Sequence, residues 1–125
     1  MAEKSRTEGS EVRSRVREFA LSLPAAYEDR PWGERVVKVN KKVFVFLGID
    51  GAAEPGIGLK LVTSHPMALA QPGVTPMGHG LGRAGWVWVL LGDATPFEML
   101  RDWAVESYLA VAPRRLAAQL DLSAR

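Results

Sequence analysis

Basic side chains gather around one short stretch of this chain, and they are the residues whose types and spacing could do chemistry. Arg35, Lys38, Lys41 and Lys42 fall within Trp32 to Gly48, and no Asp or Glu occurs between Arg35 and Ile49. Lys60, Arg83, Arg114 and Arg115 follow in segments that read as a strand, a loop and the last helix. Cations grouped in this way can track a phosphate backbone by displacing its counterions. Phe44, Phe46, Trp86 and Trp88 could add stacking surface if one face of a sheet stays open. The competing reading is that the aromatics are core and the lysines decorate a solvated edge that discourages strand pairing. Spacing alone favours that second reading.

Other constellations carry less. Gly80-Leu81-Gly82-Arg83-Ala84-Gly85 has the letters of the dinucleotide fingerprint, but it follows a loop and opens a strand, whereas the fingerprint follows a strand and opens a helix. A flexible or bulged entry into the next strand is the simpler account. His65 and His79 have no acid or cysteine at ligand spacing, and Glu28-Asp29 lacks a second carboxylate pair with which to form a catalytic dyad. The chain has no cysteine, which excludes disulfides, thiolate metal sites and a Cys nucleophile. No nucleophile with its base, metal shell or phosphate loop can be assembled, so no catalytic residue, metal or cofactor is expected.

The elements that must position the basic residues follow from periodicity. Val36, Val37, Val39, Val43, Phe44, Val45 and Phe46 are β-branched or aromatic and flank Asn40-Lys41, which predicts a β-hairpin. A two-residue turn would set Val39 opposite Lys42, Val37 opposite Phe44 and Arg35 opposite Phe46. Both hairpin faces are then largely apolar, so the sheet is either covered twice or keeps one face for a partner. Val12, Val16, Phe19, Ala20 and Leu23 recur at helical spacing from Glu11 until Pro24 stops them. The tract 49–56 reads as a turn, Ile57 to Val62 as a third strand, and Ser64 as the cap of a short helix ending near Gln71. The glycine-rich piece 73–85 reads as irregular. Trp86 to Leu91 reads as a central strand covered on both faces. Thr95-Pro96-Phe97-Glu98 has the form of a capping box, and Leu100, Trp103, Ala104, Ser107, Tyr108 and Val111 form a stripe that should pack on the sheet. Pro113 breaks or restarts that helix.

At 125 residues, with 47% hydrophobic and 24% charged residues, the chain fits one globular domain over residues 11–122 behind a disordered tail at 1–10. A net charge of +2 does not by itself demand a polyanionic partner. The first fifteen residues have no apolar core, and no later segment reaches a membrane-spanning length, so a cytoplasmic monomer is expected. The element order argues α+β, with a mostly antiparallel sheet of about four to five strands and the N- and C-terminal helices packed on one face.

The blocks REFALSLPAAYED, PWGERVVKVNKKVFVFLG, LKL, GLGRAGWVWVLL and ESYLAVAPRRL, in that order across about Val12 to Leu120, resemble the MmcQ/YjbR family of small bacterial proteins. The resemblance implies a frataxin-like (CyaY-like) domain with a double-wing arrangement of hairpins, described as DNA-binding. Double-stranded DNA is then the implied partner, met with low sequence specificity by Arg35, Lys38, Lys41, Lys42, Lys60, Arg83 and Arg114. A non-enzymatic module that binds a protein or small ligand on an aromatic sheet face is the alternative. The sequence departs from the family at Asn40-Lys41, where such turns usually have Gly, which leaves a longer or different turn open. Frataxin-like iron handling is not implied, because the first helix is Arg-rich where an iron-binding ridge would want carboxylates.

Overall fold

A computed structural model describes residues 2–49, 51–52, 54–92 and 95–123. Helix α1 (Ala2–Leu21) leads into strands β1 (Tyr27–Asp29), β2 (Arg35–Val39), β3 (Lys42–Gly48) and β4 (Gly56–Lys60). Helix α2 (His65–Leu69), strands β5 (Val74–Pro76) and β6 (Trp86–Leu90), and helices α3 (Phe97–Val111) and α4 (Arg114–Ser123) complete the order. The strands form one six-stranded sheet in the order β1-β2-β3-β4-β6-β5, with every pairing antiparallel. The fold is thus α+β as expected, with a strand count slightly higher than the four to five read from the sequence. Among the described residues no helix is long and apolar enough to cross a membrane.

The two further strands are the short ones at the edges. β1 and β5 each contribute three residues and pair with β2 and β6. β5 lies in the glycine-rich piece expected to be irregular, and Pro76 is tolerated because it sits on an edge strand. β6 is therefore next to the edge rather than central. Its Val87 and Val89 are buried among the helices, whereas Trp88 on the other face is half-buried and Leu90 is exposed.

Helices α1, α3 and α4 cover one face of the sheet. Val16 and Ala20 of α1, Leu100, Trp103 and Tyr108 of α3, and Leu116 of α4 share a core with Val37, Val45, Leu59 and Val87. α1 begins at Ala2, so the tail expected over residues 1–10 is helical from Ala2 onward, and Met1 lies outside the described residues. Glu3, Lys4, Arg6 and Glu8 are good helix formers, and a helix without an apolar stripe there escapes a search for periodicity. Gly9 is buried, and a Cβ on it would lie 2.7 Å from the Leu91 carbonyl oxygen, so the helix passes directly over the end of β6.

The β2–β3 hairpin departs from the regular register. Val39 opposes Lys42 as expected, but Val37 opposes Val45 rather than Phe44, and Val36 rather than Arg35 opposes Phe46. The irregularity at Phe44 is a β-bulge, which turns both Phe44 and Val45 toward the helices. Ser107 of α3 serves the bulge: its hydroxyl donates to the Phe44 carbonyl at 2.6 Å and accepts the Lys60 N–H at 2.9 Å. Phe44 and Tyr108 meet edge to face, and the Tyr108 hydroxyl donates to the Pro24 carbonyl at 2.8 Å.

Two expected helix caps are used otherwise. The Thr95 hydroxyl accepts the Gly92 N–H at 3.0 Å instead of capping α3, whose N-cap is Pro96. The Ser64 hydroxyl donates to Glu106 at 2.8 Å instead of capping α2. In each case a tertiary or turn partner outcompetes the free helix terminus. The turn expected over 49–56 includes Asp50 and Ala53, which lie outside the described residues.

Candidate nucleic-acid interface

The β2–β3 turn closes in two residues with the left-handed backbone that a type I′ hairpin requires, φ being 50° at Asn40 and 68° at Lys41. Asn accepts that conformation readily, whereas Lys does so at a cost. Lys41 and Lys42 both project into solvent at the tip. Val45 pairs with Leu59 and Lys60 with Trp86, so Lys60 and the Arg83 turn just before β6 lie at the same end of the sheet as the hairpin tip. α3 runs toward that end, because Ser107 and Tyr108 reach Phe44 and Lys60, and it delivers Arg114 there on the helical layer. Among the described residues none of Lys41, Lys42, Lys60, Arg83 and Arg114 has an ion-pair partner. Glu106 also lies at this end, but its carboxylate is occupied by the Val62 and Ser64 N–H groups at 2.7 and 3.0 Å and by the Ser64 hydroxyl.

Arg35 and Lys38 do not join this group. Arg35 opposes Gly48 at the other end of the sheet, where its Nε lies 2.8 Å from Glu28 Oε2, while the Arg17 guanidinium of α1 holds Oε1 at 2.6 Å. The Arg17 hydrogen bond, more than the reach of Arg35, holds the Glu28 carboxyl below its ordinary range despite partial burial. Lys38 is bound to Asp29 at 2.8 Å across the β1–β2 pair; the lysine is shifted up by that hydrogen bond, and the carboxyl is shifted down by Lys38 and the Arg30 N–H. β1 was not legible in the sequence, so the acids that neutralise these two cations looked like loop residues.

Fold and geometry together invite comparison with known proteins, and the YjbR family model matches residues 21–110. The chain belongs to the YjbR family. The resemblance to MmcQ/YjbR proteins read from its sequence blocks therefore holds. A Deinococcus radiodurans protein, DR2400, whose domain is described as DUF419, has a similar crystal structure with a TM-score of 0.70 and 21% identity, covering 94% of this chain and 91% of that one. A Pseudomonas syringae protein is similar with a TM-score of 0.60 and 22% identity over 78% of this chain and 97% of its own. At such identities the likeness is one of fold. Among curated proteins none matches the chain significantly.

In this YjbR domain the GxGxxG letters have a backbone explanation. A Cβ on Gly82 would lie 2.9 Å from the Met77 carbonyl oxygen. Gly85 has φ near 98°, and a Cβ on it would lie 2.5 Å from the Leu61 carbonyl oxygen, where β4 and β6 close together. The residues between form a short 3₁₀ turn, Leu81–Ala84, so the glycines shape the approach to β6 and no helix of phosphate-binding type follows. His65 opens α2 as expected, with Nε2 buried and without a hydrogen-bond partner among the described residues, and His79 is exposed in the loop after β5.

The sheet face away from the helices carries Val36, Phe46, Trp86 and Trp88. Phe46 and Trp86 meet edge to face with centroids 5.1 Å apart. Gly56 and Gly58 form the floor: Cβ atoms there would lie 2.6 Å from the Trp88 ring and 2.7 Å from the Met77 sulfur. Val36 and Trp86 are buried, and Phe46 and Trp88 half-buried, so the aromatics pack on one another and on bare backbone. An open platform for successive bases would need exposed ring faces. The face is a second, thin apolar layer.

Proposed function

We propose that this YjbR domain binds double-stranded DNA with little sequence preference through the end of the sheet that carries Lys41, Lys42, Lys60 and Arg83, with Arg114 flanking. The observation that carries this reading is the collection at that end of cations without an ion-pair partner among the described residues, led by two lysines at a two-residue turn, while the other strand cations, Arg35 and Lys38, are neutralised by Glu28 and Asp29. Charges in ion pairs contribute little to a phosphate contact, since the pair must be broken before counterions are released. The reading narrows the site to the hairpin tip and its neighbours and leaves out Arg35 and Lys38. Phosphate contacts position a protein without reading bases, which accounts for low specificity.

A salt titration of binding to a short duplex tests the proposal. With about four phosphate contacts, log affinity should fall against log salt with a slope of about −3 to −4. Replacing Lys41 and Lys42 together by Gln should weaken binding to all duplex sequences alike and flatten the slope by about 1 to 2. The Lys38→Gln variant should leave the slope unchanged. Absence of binding at low salt, or indifference to the double substitution, would transfer the function to a protein or small-ligand partner.

A further inference from the structure

We infer that copies of this chain associate head to tail, the Trp32 indole of one copy entering the groove between α3 and the segment after β4 of the next. Trp32 is fully exposed, at 100%, whereas Trp86, Trp88 and Trp103 are buried or half-buried. It crowns the β1–β2 connection on a 3₁₀ turn, Pro31–Gly33, with left-handed backbone (φ 51°, ψ 31°), a conformation a bulky side chain rarely holds. The turn is not loose. The Glu34 N–H donates to the Pro31 carbonyl, Asp29 accepts the Arg30 N–H, and Asp29 pairs across to Val36 and binds Lys38. A strained backbone therefore holds an indole out in water, and among the described residues nothing offsets either cost, which is the pattern of an anchor that docks elsewhere. Ile49, also exposed, follows Gly48 at the same end of the sheet and widens the apolar surface.

The chain itself offers a receptor of matching chemistry. Val62, Val105 and Leu109 line a groove of about 440 Å³, with Val62 at 66% and Leu109 at 41% exposure, and Asp102 and Glu106 on its border. A cavity of about 150 Å³ admits benzene, so an indole fits with room to spare. Asp102 is exposed and only loosely paired with Arg101 at 3.7 Å, so it is placed to accept the indole N–H and to face the positive charge of Arg30. Trp32 and the groove lie at opposite ends of the sheet, so they cannot meet within one molecule. The contact is heterologous, so a pair of copies keeps one free knob and one free hole. An interface built on one indole, burying about 150–250 Å² of that side chain, belongs with weak and transient contacts. The inference does not rest on DNA binding, whose cations lie at the groove end and away from Trp32.

Sedimentation equilibrium on the full chain from about 10 μM to about 1 mM reads the association directly. The average mass should rise with concentration in the parent and stay monomeric in Trp32→Ala and in Leu109→Glu, both exposed positions whose variants should retain the parental circular dichroism. An equimolar mixture of the two variants should recover dimer and stop there, because one supplies the groove and the other the indole. A parent monomeric at about 1 mM would overturn the inference, as would association that survives Trp32→Ala or a mixture that stays monomeric. Loss of duplex affinity in Trp32→Ala with no change in mass would assign the indole to nucleic acid and equally overturn it.

Discussion

Lys41 holds a backbone conformation that glycine would hold at lower cost. Its φ of 68° lies in the left-handed region, where an L side chain costs about 1–2 kcal/mol, and among the described residues its ammonium has no ion-pair partner to return that energy. Lys41→Gly should therefore raise stability by about 1 kcal/mol, less what glycine loses in the unfolded chain, as read from the urea midpoint at constant m-value. The same substitution should weaken duplex binding at every sequence and reduce the salt slope by about 0.9. A loss of stability would mean that the lysine is held by contacts other than those seen. Ser107 presents the opposite case, a buried hydroxyl that spans two backbone groups. In Ser107→Ala the Phe44 carbonyl and the Lys60 N–H both lose a partner inside the protein, and a destabilisation of about 2–4 kcal/mol is expected. A change under about 0.5 kcal/mol would show that water replaces the hydroxyl there.

Elements with strong periodicity were legible and those defined by their neighbours were not. The β2–β3 hairpin, β4, β6, the stripe of α3 and the restart at Pro113 all follow from residue spacing, because each buries a regular set of side chains. β1 and β5 are three-residue edges whose strand character comes from pairing, so Tyr27-Glu28-Asp29 and Val74-Thr75-Pro76 carry no signal of their own. The bulge at Phe44 was equally hidden: a strict two-residue period places Phe44 and Val45 on opposite faces, and only the helices that bury both reveal the extra residue. Trp103 tests the α3 stripe. It is 3% exposed within the core, and Trp103→Ala should cost about 3–5 kcal/mol in denaturant unfolding. A loss under about 1 kcal/mol would be incompatible with an indole wedged between helix and sheet.

At the scale of the whole molecule, the candidate site was legible as a set of cations but not as a place. Counting charges put Arg35 and Lys38 beside Lys41 and Lys42, whereas the fold sends the first pair to carboxylates and leaves the second pair in solvent. The same carboxylates tie layers together. Glu28 joins Arg17 of α1 to Arg35 of β2, and Glu106 joins α3 to the segment after β4. In Glu28 the Arg17 hydrogen bond prevails over burial; in Glu106 burial is the largest single influence and raises the pKa, but the hydrogen bonds from Ser64 and Val62 together outweigh it, so both carboxyls are shifted down. A carboxyl whose folded pKa lies below its unfolded value releases its proton more readily in the native state. Its stabilising contribution is thus complete above the unfolded pKa of about 4.3 and is lost as pH falls through the folded value. Stability should be level from about pH 8 to about pH 6 and decline as pH drops below about 5. The Glu28→Gln and Glu106→Gln variants should be less stable than the parent near neutrality, with the gap narrowing steadily on acidification because the parent loses there what the variants already lack. Urea unfolding of parent and variants across that range measures the gap directly. A gap that stays constant with pH would show that neither carboxylate is preferentially ionised in the folded protein, and that the layers are held together by the apolar core alone.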